Sequence, residues 1–196
     1  MNETESWHAG FRASFLENVQ SAHSPARRTL RDMQNFYADQ QTVLQMLESG
    51  VDPLIYEVYS WDAPEKSSDL SFGVTVLQPG CIGREYFMTK GHFHTIRKTA
   101  EVYYTLSGNG IMLTEDEHGH TNPIPMHPGE AAYVAPGFAH RMINTGDTPL
   151  TAFYVFRADA GHDYASIEKD GFSVQLTRGE DGNPVLSTAF QKGDFE

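Results

Sequence analysis

The sequence predicts an all-β fold, an antiparallel sandwich or barrel with a short helical extension at its N-terminus. Three observations predict it. From Val51 onward, short β-branched and aromatic runs follow one another at short spacing: LIYEVYSW, FGVTVLQ, EYFMT, EVYYTLSG, GIMLTE, AAYVA, LTAFYVFR and SVQLTR. Between them lie turn sequences such as GNG, EHGHTN, HPGE and NTGDTP. No second helical pattern follows the extension, which argues against a parallel βαβ sheet.

Taken in order, residues 1–26 are polar and mixed, without periodicity, and read as an arm. Arg27 to Ser49 carries apolar residues at Leu30, Met33, Phe36/Tyr37, Val43/Leu44 and Leu47, the spacing of one helical face. Asp39 can cap a helix over Gln40–Glu48 that Ser49-Gly50 ends. The preceding RTLRDMQNFY is either helical or extended. Residues 1–50 are thus expected to form an arm and helical extension, and residues 51–196 the β-barrel. All 196 residues fit one compact domain.

Composition excludes several classes. With 14 Lys+Arg against 26 Asp+Glu the net charge is -12, which argues against nonspecific nucleic-acid binding. No apolar run approaches the ~18 residues of a membrane span. The start, MNETESWHAGFRASFLENVQSAHS, has early acids and no apolar block after basic residues, unlike a secretory signal. A lone Cys81 forms no disulfide framework, and in QPGCIG it has no obvious base and reads as a small turn residue. The expectation is a soluble, cytoplasmic protein with neither nucleic-acid nor membrane partners.

The chemically informative stretch runs from Lys90-Gly-His92-Phe-His94 to Glu101. His92 and His94 are two apart, so on a strand they project to one face. Two adjacent imidazoles make half a metal site. Glu101 opens the run EVYYTL and could face them across a short turn. His140, after AAYVA and a Pro-Gly turn, is the candidate third imidazole. Three His and one Glu, with no thiolate, suit Fe²⁺, Mn²⁺, Ni²⁺ or Zn²⁺. The alternative for each histidine is a surface or packing role. That is the reading for His8, His23 and His127, and for the pair His118 and His120 in an acidic turn.

These segments resemble the two motifs of the cupin superfamily. Glu101 and Gly108 match its E-x6-G, and Gly129, Gly137, His140 and Asn144 match G-x5-P-x-G-x2-H-x3-N, with Ala135 at the proline position. Six residues separate His94 from Glu101, where most cupins have three or four. With EYFMTKGHFH, AEVYYTLSGNG and the AGHDY of Ala160–Tyr164, the chain closely resembles the cupin-type, metal-dependent glucose-6-phosphate isomerases. The likeness runs from about Arg28 to Ser173.

The resemblance implies a cupin-type antiparallel β-barrel (a double-stranded β-helix or jelly roll) and a homodimer. It implies interconversion of glucose 6-phosphate and fructose 6-phosphate. One divalent ion per subunit, Fe²⁺ first, would be held by His92, His94, Glu101 and His140. Glu101 is the candidate proton shuttle through a cis-enediol, with a hydride shift as the other route. His162 and Tyr103 are further candidates for ring opening and sugar contacts, with Tyr56 and Tyr164. The phosphate would meet Thr75, Thr89 and Gly91. Where the family often has a tyrosine, this chain has Phe156-Arg157, so Arg157 is a candidate phosphate contact. Arg84, Lys90, Arg97 and Lys98, within fifteen residues that hold one acid, could form a positive rim. Two other readings stay open: another cupin metalloenzyme, such as an iron dioxygenase, and a non-catalytic sugar-phosphate-binding or storage module.

Overall fold

A computed structural model describes residues 25–64 and 67–188; the expected arm lies largely outside them. The stretch left open between helix and extended is both. It starts as strand β1 (Ala26–Thr29), makes one helical turn, α1 (Leu30–Met33), and passes a 3₁₀ turn at Gln34–Phe36. Helix α2 (Gln40–Glu48) follows, with the Asp39 carboxylate accepting from the Thr42 N–H at 2.9 Å. Leu30, Met33, Tyr37 and Val43 of this extension are buried in the same core as the strands. Each such side chain contributes about 1.5–3 kcal/mol of burial. The Glu85 carboxylate, pushed up to about 7 by burial, accepts the Ala38 N–H at 2.9 Å and pins the extension to the barrel.

The strands that follow are β2 (Leu54–Trp61), β3 (Leu70–Leu77), β4 (Cys81–Ile82), β5 (Glu85–Tyr86), β6 (Glu101–Ser107), β7 (Gly110–Glu115), β8 (Thr121–Met126) and β9 (Ala131–Val134). Then come β10 (Ala139–Asn144), β11 (Leu150–Arg157), helix α3 (Tyr164–Asp170), β12 (Val174–Arg178) and β13 (Pro184–Thr188). Every strand pairing is antiparallel. One sheet has the order β1-β2-β3-β11-β6-β9, a second β10-β7-β8, a third β13-β12-β5-β4. Single bridges, Met88↔Ile143 and His92↔His140, add the segment before β6 to the free edge of β10. Four strands, β3-β11-β6-β9, thus oppose four, the 88–92 segment with β10-β7-β8. That is the strand order of a jelly roll.

Period-two alternation decides what faces the interior. On β11, Leu150, Ala152, Tyr154 and Phe156 are buried, while Thr151, Phe153, Val155 and Arg157 are half-buried on the outer face. Asn144 closes the far end. Its amide donates to the Leu77 and Thr148 carbonyls, each at 2.9 Å, and its oxygen accepts the Gly146 N–H at 2.9 Å.

Three elements depart from expectation. Helix α3 lies where no helical pattern was read; it is two turns long and, of its residues, buries Ile167. Strand β8 occupies TNPIPM, partly inside the expected EHGHTN turn. It is an edge strand paired with β7 on one side, where its two prolines are tolerated. EYFMT forms a two-residue strand and an isolated bridge rather than a full strand.

Candidate functional site

Four side chains converge between the sheets. His92 and His140 exchange backbone hydrogen bonds of 3.2 and 3.1 Å, an antiparallel bridge that sets their rings 4.4 Å apart. His94, two residues on, projects to the same side, its ring 5.4 Å from that of His140. Glu101 opens β6 in the facing sheet. One ligand atom from each of His92, His94, Glu101 and His140 lies within 4.8 Å of all the others, and all four residues are buried.

The hydrogen bonds around His94 fix its tautomer. Its Nδ1 is 2.8 Å from the Thr99 hydroxyl and 3.1 Å from the Thr99 carbonyl. That hydroxyl donates to the Ile96 carbonyl, so both Thr99 oxygens accept, and Nδ1 carries the proton. The other nitrogen, Nε2, then faces Glu101 Oε2 at 3.1 Å. At that separation the two atoms can share a proton or together grip a cation. His140 Nε2 is 3.0 Å from the same oxygen without hydrogen-bond alignment, and His92 Nε2 is buried without a partner among the described residues.

Burial alone would raise the Glu101 carboxyl, but the imidazoles, His140 foremost, hold it well below the usual carboxylate range. Burial keeps His92 well below the usual histidine range, with His140 and His162 adding to it. Neutral imidazoles and an ionised carboxylate are the forms that bind a metal. The donor set, three nitrogens and one oxygen with no thiolate, fits a divalent ion. The Thr99 contact supplies the outer partner that a metal-bound imidazole ordinarily has.

Three of the four, His92, Glu101 and His140, line a cavity of about 210 Å³. Tyr56, Thr75, Thr89, Gly91, Tyr103, His162 and Tyr164, all expected near a substrate, line it. Tyr103 is buried 5.7 Å, ring to ring, from His140, and burial, then the nearby Glu101, pushes its phenol well up. Burial likewise pushes Tyr56 up to about 12. Both phenols therefore stay protonated and can donate. His162 sits at the mouth, its ring 4.4 Å from that of His92 and stacked at 5.7 Å on Tyr164; burial lowers its pKa.

Other candidates stand elsewhere. Arg157 falls on the outer face of β11, where it pairs with Asp159, because the inward residues are Tyr154 and Phe156. Of the expected positive rim, Lys90 alone lines the cavity. Arg97 is held by Asp163 and Glu117, Arg84 by the Arg178 carbonyl, and Lys98 opens on a separate surface groove beside Arg157. His118, His120 and His127 are exposed, while His8 and His23 lie outside the described residues. Cys81 is half-buried in β4, and burial raises its thiol. Sequence reading missed Ser60, Asp62 and Tyr154, which also line the cavity. Ser60 lies four residues after Tyr56, on the same face of β2, and that alternation was the one available signal.

A family model described as glucose-6-phosphate isomerase matches residues 27–185. A glucose-6-phosphate isomerase of Pyrococcus horikoshii is 44% identical over 164 residues, covering 84% of this chain and 86% of that protein. One of Thermococcus litoralis is 43% identical over 176 residues, 90% of each. Among solved structures, one described by its work on the mechanism of oxalate oxidase aligns with a TM-score of 0.48 at 14% identity, covering 59% of this chain and 58% of that one.

Proposed function

Because this chain belongs to the glucose-6-phosphate isomerase family, we propose that it interconverts glucose 6-phosphate and fructose 6-phosphate at the His92, His94, Glu101 and His140 cluster. The observation that carries the site assignment is the convergence of four buried ligand atoms, from three imidazoles and one carboxylate, all within 4.8 Å of one another. The isomerase names of the relatives favour this reading over a dioxygenase or a binding module.

Isomerisation moves a hydrogen between C1 and C2 of the open-chain sugar, and charge develops on the two attached oxygens. A divalent ion, with Fe²⁺ the first choice and Mn²⁺, Ni²⁺ or Zn²⁺ suiting the same donors, would supply Lewis acidity towards those oxygens. Glu101, the one carboxylate in the cluster, is the assigned shuttle between C1 and C2. His162, at the mouth with a lowered pKa, is assigned the proton transfer of ring opening. Tyr103, kept protonated, donates to a sugar hydroxyl. A carboxylate bound to a cation is a weak base, which favours a second route, a hydride shift from C2 to C1 in which no C–H proton is abstracted and the O2 proton passes to O1. Turnover in deuterium oxide separates the two: proton transfer puts deuterium on product carbon, a hydride shift does not.

Thr89 and Gly91, with Thr75 and Tyr56, are assigned to the phosphate. The Thr89 oxygen accepts the Met142 N–H at 3.0 Å, which leaves its O–H free to donate. Tyr164 closes the sugar end beside His162. Arg157, on the outer face, has no part in this assignment.

The proposed assembly is a homodimer through the outer face of the six-stranded sheet. Tyr133 sits opposite Val102 and Tyr104 opposite Phe153, with Tyr133 and Tyr104 59% and 43% exposed. An aromatic outer sheet face of this kind is typical of an interface. No helix among the described residues is long and apolar enough to cross a membrane. The proposed setting is the cytoplasm, in glycolysis or gluconeogenesis.

A coupled assay tests the activity. Chelation is expected to lower kcat at least about a hundredfold and added Fe²⁺ to restore it. Absence of any metal-restored interconversion overturns the reading.

A further inference from the structure

A substrate phosphate carries two negative charges, and the chain has a net charge of -12. Lys90 is the one cation among the residues lining the cavity. A second cation, Arg141, lies just behind the lining. On β10 the alternation turns His140 towards the cavity and Arg141 the other way, beneath the segment Thr89–Gly91. Arg141 is 6% exposed.

Both of its side-chain hydrogen bonds go to that segment or to the residue before it. Nη2 donates to the Lys90 carbonyl at 2.7 Å, and Nη1 to the Met88 sulfur at 3.0 Å. The guanidinium lies 4.2 Å from the Phe172 ring centroid. Gly91 has φ of 74°, and a Cβ there would stand 2.9 Å from the Phe172 ring and 3.1 Å from Arg141 Cβ and Nε. The segment is therefore pressed directly on the arginine, in a conformation that suits glycine. One residue along, the Met142 N–H donates to the Thr89 hydroxyl and the Thr89 N–H to the Met142 carbonyl, both at 3.0 Å. Consecutive residues of β10 thus hold the metal cluster (His140), the segment from below (Arg141) and Thr89 from the side (Met142).

Such an arginine is costly. Its Nε is buried with no hydrogen-bond partner among the described residues. A guanidinium keeps its charge at neutral pH, and the Glu85 carboxylate is the foremost of the groups that favour that charge. A side chain that merely filled this space would be better apolar.

We propose that Arg141 is a positioning residue for the phosphate of the substrate. It holds Thr89–Gly91 in the shape that receives the phosphate and places a fixed positive charge behind that segment. This rests on the assignment of the phosphate to Thr89 and Gly91.

The test uses the metal-loaded enzyme and three variants: Arg141→Lys, Glu85→Gln, and the double variant Glu85→Gln/Arg141→Met, which removes the buried charge together with its nearby carboxylate so that folding is retained. Calorimetric titration with inorganic phosphate reads the subsite directly, and steady-state kinetics with fructose 6-phosphate separate KM from kcat. The double variant is expected to bind phosphate about tenfold more weakly or worse, as for a lost nearby charge and a loosened segment, and to raise KM by a like factor. Its kcat should stay within about threefold of the parent, and its metal content should be unchanged. Glu85→Gln alone should leave phosphate affinity as it was, and Arg141→Lys should recover part of the loss. Parental phosphate affinity in the double variant, or a loss confined to kcat, overturns the proposal. A parent that binds phosphate without isomerising sugar, and loses that affinity on substitution, would sink the isomerase reading and leave Arg141 in its role.

Discussion

Replacing His140 by Ala is expected to strip the protein of its divalent ion and to lower kcat/KM by at least about a thousandfold. The magnitude follows from chemistry that rests on Lewis acidity worth several kcal/mol, at 1.36 kcal/mol per factor of ten. His140 is 1% exposed, lies 3.0 Å from Glu101 and abuts His92, so its loss opens the centre of the cluster rather than its rim. Elemental analysis of the purified variant and the coupled isomerase assay check it together. His118→Ala, at an exposed imidazole of the other HxH pair, should retain both metal and turnover. A His140→Ala variant with the parental metal content and rate would contradict the assignment.

Gly108→Ala is expected to be the most damaging single methyl in the barrel. Gly108 has φ of 79°, which an alanine adopts at a cost of roughly 1–2 kcal/mol. The added Cβ would also drive into the Pro149 carbonyl oxygen and stand 2.7 Å from Leu150 Cα, both backbone atoms that cannot swing aside. Strain and collision together put the loss above about 4 kcal/mol, the range reserved for a few named mechanisms. For a chain of this size that lowers Tm by roughly 10 °C or more. Thermal unfolding followed by circular dichroism checks it, and a Tm within about 2 °C of the parent would show that this turn is free to move. The glycine of the E-x6-G motif is thus required by a close backbone approach at the end of β6.

The parts of this molecule that obey local rules could be read from the chain. His92 and His94 share a face because side chains alternate, and Glu101 opens a run whose inward residues, Tyr103 and Thr105, keep the same parity. The cap at Asp39 and the stop at Gly50 are likewise local signals. What escaped depends on tertiary pairing. The polar run ARRT is a strand because β2 supplies its partner, and β8 survives two prolines because it is an edge. Helix α3 is too short to show a stripe, since of its residues Ile167 alone is buried; it is held at its start by the Asp163 cap on Ser166.

Parity also explains the misplaced charges. LTAFYVFR carries large residues on both faces of β11, so nothing in it shows that Tyr154 looks inward and Arg157 outward. Arg84, Lys90, Arg97 and Lys98 are close in sequence, yet the chain turns between them and gives Arg97 two acids of its own. Arg141 carried no signal at all. It is an ordinary polar residue in AHRMIN until β10 pairs with β7 and the 88–92 segment folds over its other face.

The most direct measurement is anomalous diffraction from crystals of the active protein, recorded at the absorption edge of the metal found by elemental analysis. A single peak is expected between the His92, His94 and His140 nitrogens and a Glu101 oxygen, at ordinary metal–ligand distances of about 2.0–2.2 Å. An active crystal form with no anomalous density among those four side chains would contradict the account.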